Sequence, residues 1–216
     1  MSTSDPDLTV AERFYFIAHD DRVGRARLHP RAIALGSAAA LLGELVLLTC
    51  IGVHGGMVRL LPCEAPDRLP LRRILDDMAE QVQHREVRVW LPYLAEVAAD
   101  SVELGLGRAG HLRTVRHRRL TGVHLTYEAA DPNVPPWQTV RLAEMLNGRM
   151  PMYVPDLFLA GLVDATGLTR HVLWDHQTST VGLANLPRAI DRLSPPLREL
   201  VDHTRSAVGH LVLAPR

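Results

Sequence analysis

Apolar and polar positions along this chain recur mostly at helical spacing, and in two short stretches they alternate instead. Thr9 followed by Glu12 has the capping-box pattern, and Val10, Phe14 and Ile17 follow at helical steps. A helix is therefore expected over about 9–19. The polar segment 20-DDRVGRARLHP-30 reads as a loop, and a long apolar helix is expected from Pro30 to about Leu48. Gly55-Gly56 between 51-IGV-53 and 57-MVRLL-61 predicts a short hairpin. Leu71, Ile74, Leu75, Met78 and Val82 predict a helix over 70–83. Another spans about 86–108, with Pro92 marking a point where it can break.

Gly107 and Gly110 end that helix, and the period then changes. Leu112, Thr114 and Arg116 alternate with Arg113, Val115 and His117; beyond Thr121-Gly122, Val123, Leu125 and Tyr127 alternate with His124, Thr126 and Glu128. Period two on both sides of a turn predicts a β-hairpin at about 112–118 and 122–128. The loop 131-DPNVPP-136 follows. Helices are then expected at about 136–147, at 155–165, near 168–176 and over roughly 195–210, with Gly148 and Gly167 closing the first two. The fold class is mainly α: a single-domain helical bundle over 8–210 with small β-hairpins, preceded by a disordered tail at 1–7.

The run 32-AIALGSAAALLGELVLLTCIGV-53 is long enough to cross a membrane. Glu44 lies near its middle, where an acid costs about 2.5–3.5 kcal/mol, and no basic group closes its far end. A buried central helix explains the same residues, with Ala and Gly letting neighbouring helices approach closely. The polar, acidic start MSTSDPDLT lacks a basic region followed by an apolar stretch, so no signal peptide is read and a cytoplasmic location is expected. Two cysteines do not make a disulfide framework: Cys50 reads as a small core residue and Cys63 as a candidate exposed thiol.

Charge changes this picture locally rather than globally. The chain balances 24 Arg, with no Lys, against 24 acids, so no overall field draws in nucleic acid. Yet Arg108, Arg113, Arg116, Arg118 and Arg119 fall within twelve residues, and no acid occurs between Glu103 and Glu128. Arg22, Arg25, Arg27, His29 and Arg31 form a second basic segment with no acid before Glu44. One reading is that these charges are solvated or meet acids such as Asp20, Asp21 or Asp76-Asp77. The sharper reading is a surface for an anionic membrane, near which each basic residue contributes about 1 kcal/mol.

Other chemistry finds little footing. There is no HExxH and no paired CxxC; His171 and His176, five apart, are poorly placed to share one helix face, so no metal or cofactor is expected. There is no GxSxG elbow or Walker loop, and 105-GLGRAG-110 runs from a helix pattern into a strand, the wrong order for a phosphate-binding turn. No enzymatic activity is expected. A helix followed by a basic hairpin is also found in winged-helix modules, but a polar recognition helix is missing here, which weighs against nucleic acid.

Four features in order, 8-LTVAE-12, 20-DDRVG-24, 41-LLGELVLLTCI-51 and the succession helix, 110-GHL-112, hairpin, Asp-Pro, resemble the Golgi phosphoprotein 3 family in a bacterial-type short form. The resemblance spans roughly residues 8–210 and weakens after about 135. It implies a mostly helical domain whose hairpin, at about 112–128, projects. It further implies a non-catalytic peripheral membrane protein; eukaryotic members read phosphatidylinositol 4-phosphate, bind glycosyltransferase tails and self-associate with help from the hairpin. The family's four head-group positions, with Gly110 and the hairpin held in register, fall on His29, Ala38, Glu96 and Ala99, none of which matches the family's Trp and Arg residues. The fold is thus expected to transfer and specific reading of the 4-phosphate is not. The head-group candidates are instead Arg25, Arg27, His29 and Arg31 with Arg113, Arg116, Arg118 and Arg119, provided that the loop and the hairpin share one face. Expected partners are anionic membrane lipid, a second copy through the hairpin, or an acidic protein. The alternative reading is an adaptor that oligomerises through the hairpin and binds no lipid.

Overall fold

The computed structural model describes residues 8–20, 25–119, 122–174 and 176–213, and side chains within these except 116–119, 122–126, 176–179 and 211–213. The expected disordered tail at 1–7 and Arg22 lie outside the described residues. The elements in order are α1 (Val10–Ala18), α2 (Pro30–Leu47), β1 (Ile51–His54), β2 (Met57–Leu60), α3 (Leu69–Glu80), α4 (Val87–Arg108), β3 (Leu112–Arg119), β4 (Gly122–Ala129), α5 (Val134–Leu146), α6 (Val154–Thr166), α7 (Thr169–Val172), α8 (His176–Asp191) and α9 (Pro195–Leu213). The chain is mainly α with two small antiparallel hairpins among the described residues, as its periodicity predicts.

Local chemistry accounts for most of these boundaries. The capping box closes at α1: the Thr9 hydroxyl accepts the Glu12 N–H at 3.4 Å and the Glu12 carboxylate accepts the Thr9 N–H at 2.9 Å. His29 caps α2, its ring accepting the Arg31 N–H at 3.3 Å, with Pro30 in the first turn. At the end of α4, Gly110 takes φ +78°, which only glycine adopts freely, and turns the chain into β3.

The apolar run is the core helix. α2 packs against α1, α3, α4, α6, α9 and β1. It is long and apolar enough to cross a membrane by length and composition, but 72% of it is buried inside the fold. Its small residues permit this crowding: a Cβ added at Gly43 would stand 2.0 Å from the Phe158 ring, and one at Gly36 would stand 2.2 Å from Phe14. Glu44 is accommodated in the core because its carboxylate accepts the Ala11 N–H at 2.8 Å, facing the positive end of α1. A second buried polar cluster ties α1 to α5 and α6, with Arg13 2.7 Å from Asp156 and 3.1 Å from Gln138.

Three expectations need correction. α4 runs unbroken through Pro92, because Trp90, Leu91, Leu94, Ala98, Val102 and Leu106 bury one continuous stripe on both sides of it. The helix near 168–176 is only the short α7, and α8 was not anticipated. Its buried positions Gly182, Leu186 and Ala189 are correctly spaced, but they are too small, apart from Leu186, to register as an apolar pattern. Cys50 is a core residue, but Cys63 is no free thiol: the two form a disulfide, with Cα atoms 5.0 Å apart. The β1–β2 hairpin pairs Ile51 with Leu60, and the Leu61 N–H donates to the Cys50 carbonyl at 2.9 Å, so residues 13 apart in sequence are folded back side by side.

Candidate functional site

The first basic segment is partly committed to its own architecture. The Arg27 N–H donates to the Ala18 carbonyl at 2.9 Å, its Nε donates to the His19 carbonyl at 3.0 Å, and its Nη1 lies 3.5 Å from the Asp20 carboxylate. Arg27 therefore closes the loop, one of the acid pairings the sequence allowed. His29 is occupied as the α2 cap. Arg25 and Arg31 are exposed.

The hairpin carries the second segment. Arg113 pairs with Glu128 across the strands at 3.2 Å, an exposed ion pair of about 0–1 kcal/mol. The register sets Thr114 opposite Tyr127, Arg116 opposite Leu125, and Arg118 opposite Val123. Strand alternation puts these positions on one face, while Arg113, Val115, His117 and Arg119 occupy the other. One face of the ladder thus combines arginine positions with apolar and aromatic ones. Eight-residue strands reach about 26 Å, and the root is anchored by buried Leu112 against the end of α4.

Tyr15 links the start of the loop to α4. Its ring lies 4.1 Å from that of His19, beside the loop that Arg27 closes, and its hydroxyl donates to Glu103 of α4 at 2.8 Å. Burial, then the Glu103 carboxylate, push its phenol pKa far above the usual range, and Tyr127 of β4 adds to that shift. The start of the loop and the α4 helix that leads to the hairpin therefore both reach this ring. Burial also raises the Glu103 carboxyl, against the hydrogen bond from Tyr15 and with help from Asp100. It lowers the His19 imidazole, with Arg27 contributing in the same direction and the Tyr15 carbonyl opposing.

The family's head-group positions are only partly assembled. Glu96 and Ala99 line a cleft of about 570 Å³ between α2 and α4, together with Arg31, Leu35, Pro92 and Asp100. Pro30, next to His29, stands at its edge, whereas Ala38 is fully buried beneath. One arginine faces two acids there, so the cleft is unsuited to a phosphate. Asp76 and Asp77 line an adjoining cleft with Arg73, Tyr93 and the same Glu96.

Two features carry no local signal in the sequence. One is the Cys50–Cys63 bridge. The other is a basic cleft formed by Arg59, His84 and Arg85, brought together from two separate segments. His171 and His176 fall on different helices, and no group of three or more potential metal ligands gathers among the described residues. No curated protein matches the chain. The Golgi phosphoprotein 3 (GPP34) family model matches residues 10–204, from the start of α1 into α9, and the chain belongs to that family.

Proposed function

We propose that this chain is a non-enzymatic peripheral membrane protein that binds anionic, phosphoinositide-like head groups through Arg25, Arg116, Arg118 and Arg119, whereas Arg31 is drawn toward Glu96 and Asp100. Arg27, His29 and Arg113 hold the frame. The observation that carries this reading is the β3–β4 register, which sets Arg116 and Arg118 among Val123, Leu125 and Tyr127 on one strand face. Cationic positions interleaved with apolar and aromatic ones suit a bilayer interface, where rings and chains enter the boundary and guanidinium groups meet lipid phosphate. Tyr15 ties the start of the loop to α4, the helix that leads into the hairpin, which is compatible with a shared face. Membership of a family not known for enzymatic activity fits the same reading. Such a protein would sit on the cytoplasmic side, held to the membrane peripherally. Glu96 and Asp100 in the α2–α4 cleft argue for general anionic-lipid attraction over a 4-phosphate pocket.

A second reading is favoured by one feature: among the described residues β3 and β4 pair only with each other, which leaves strand edges that can pair with another copy. The chain would then be an adaptor that oligomerises through the hairpin, with its arginines meeting an acidic protein.

Vesicle flotation separates the two. Vesicles of neutral phosphatidylcholine, of phosphatidylcholine with phosphatidylinositol, and of phosphatidylcholine with phosphatidylinositol 4-phosphate are compared at low and physiological salt. Binding should require anionic lipid, fall with salt, and show little preference for the 4-phosphate at equal charge. Neutralising three arginines at about 1 kcal/mol each, as in R116Q/R118Q/R119Q, should weaken partitioning on the order of a hundredfold. Absence of flotation under every condition, with a concentration-dependent oligomer abolished by the same changes, would leave the adaptor reading standing and the lipid reading refuted.

A further inference from the structure

Trp90, near the start of α4, is almost wholly buried, and above it lies a cleft of about 330 Å³. Val58 and Leu60 of β2, Met78 of α3, and Val82 beyond it supply apolar walls, while Arg59, His84 and Arg85 supply polar groups. No acid lines it. Trp90 and Arg108 are 18 positions apart, so about 27 Å of helix separates this cleft from the β3–β4 hairpin.

The basic groups are held in place by the main chain. The Val58 N–H donates to the Arg85 carbonyl at 2.6 Å, the Val87 N–H donates to the Gly56 carbonyl at 2.9 Å, and Met57 bridges Glu86. Residues 85–87 are thereby laid along the start of β2, and a turn at 81–84 leads into them. The Trp90 indole N–H donates to the His84 carbonyl at 2.9 Å, and Arg85 Nε donates to the Val82 carbonyl at 3.1 Å. Nearby Glu86 is engaged by Arg88. Two guanidinium groups and an imidazole are thus gathered, without a carboxylate among them, at the mouth of an apolar hollow. Like charges repel unless an anion lies between them, and a fixed backbone beneath them keeps their side chains within reach of one site. The volume stands at the lower end of the range for small-molecule sites.

We propose that this cleft binds a small anionic amphiphile, with a phosphate or carboxylate held by Arg59, Arg85 and His84 and a short apolar chain against Met78, Val82 and Trp90. The site is independent of the hairpin surface and does not rest on its reading. The ligand is a free amphiphile or the head and upper chain of a bilayer lipid; the chemistry recognised is the same.

Calorimetric titration of the full chain with octyl phosphate, octanoate, octanol and inorganic phosphate tests it. Octyl phosphate should bind one to one, with octanol and inorganic phosphate each at least tenfold weaker. R59Q and R85Q should each weaken octyl phosphate about tenfold, and R149Q, in the turn after α5 and paired with Glu144, should leave it unchanged. All three residues are exposed, and an unaltered melting temperature will show that the variants fold. Flotation of R59Q/R85Q on phosphatidylinositol vesicles identifies the source. A decrease assigns the ligand to the bilayer; unchanged flotation beside weakened octyl phosphate assigns it to solution. Equal affinity for octanol and octyl phosphate, indifference to both Arg substitutions, or no binding at millimolar octyl phosphate would each overturn the proposal.

Discussion

The Cys50–Cys63 bridge makes a quantitative prediction. Cys63 is exposed, so Cys63→Ser removes the cross-link while costing little packing, and Cys50 stays in the core as a thiol. The cysteines are 13 positions apart, and closing a loop of that length in the unfolded chain stabilises the fold by about 3 kcal/mol. Unfolding entropy of about 2.1 cal/mol/K per residue, over 216 residues, converts this to a fall in Tm of about 6–7 °C. Thermal melts followed by circular dichroism would compare oxidised protein, protein held in a dithiol reductant, and the variant. The last two should coincide, and thiol titration in denaturant should find none in the oxidised wild type and two after reduction. Loss of the tether also frees the segment leading to Arg68, which lies 3.1 Å from Glu12 at the start of α1. Two titratable thiols in the air-oxidised protein, or melts that agree within a degree, would refute the reasoning. Reducing compartments keep such pairs open, so in a cytosol the lower melting temperature is the relevant one.

Two further predictions concern α2. Burial raises the Glu44 carboxyl pKa above its ordinary value, opposed by the Ala11 and Thr9 hydrogen bonds and Arg68, with Glu12 adding to the rise. Folding then favours the protonated form, so this group supports stability at low pH and erodes it as pH rises through the raised pKa. Glu44→Gln should flatten the decline in urea stability as pH rises above the ordinary carboxyl value, gaining on the wild type as pH increases; parallel pH profiles would contradict this. Gly43→Ala forces a methyl into the Phe158 ring and should cost about 1–3 kcal/mol, whereas Gly105→Ala, in α4 with open space around the new methyl, should stabilise by about 0.5–1 kcal/mol. Denaturant midpoints that move together in the two variants would show that close approach at Gly43 is not what the glycine provides.

Much of the fold is legible along the chain because its determinants are local. The Thr9–Glu12 box, Pro30 at the start of α2, the Gly110 turn and the period-two runs on either side of Thr121-Gly122 each act within a few residues. α8 escaped because its buried face rests partly on Gly182 and Ala189, whose smallness matters only once neighbouring side chains press against them. The candidate site was legible as charge but not as geometry. Sequence identified the arginines of the loop and the hairpin; only packing could tie Arg27 to Asp20, leave Arg31 in a cleft with Glu96 and Asp100, and join the start of the loop to α4 through Tyr15. The same holds for the disulfide and for the cleft of Arg59, His84 and Arg85. Periodicity and capping are set by neighbours three or four bonds of the ladder away, so the residues themselves encode them. Which distant segments share a surface depends on how helices of given lengths and small-residue contacts pack about α2, and that decided where the charges meet.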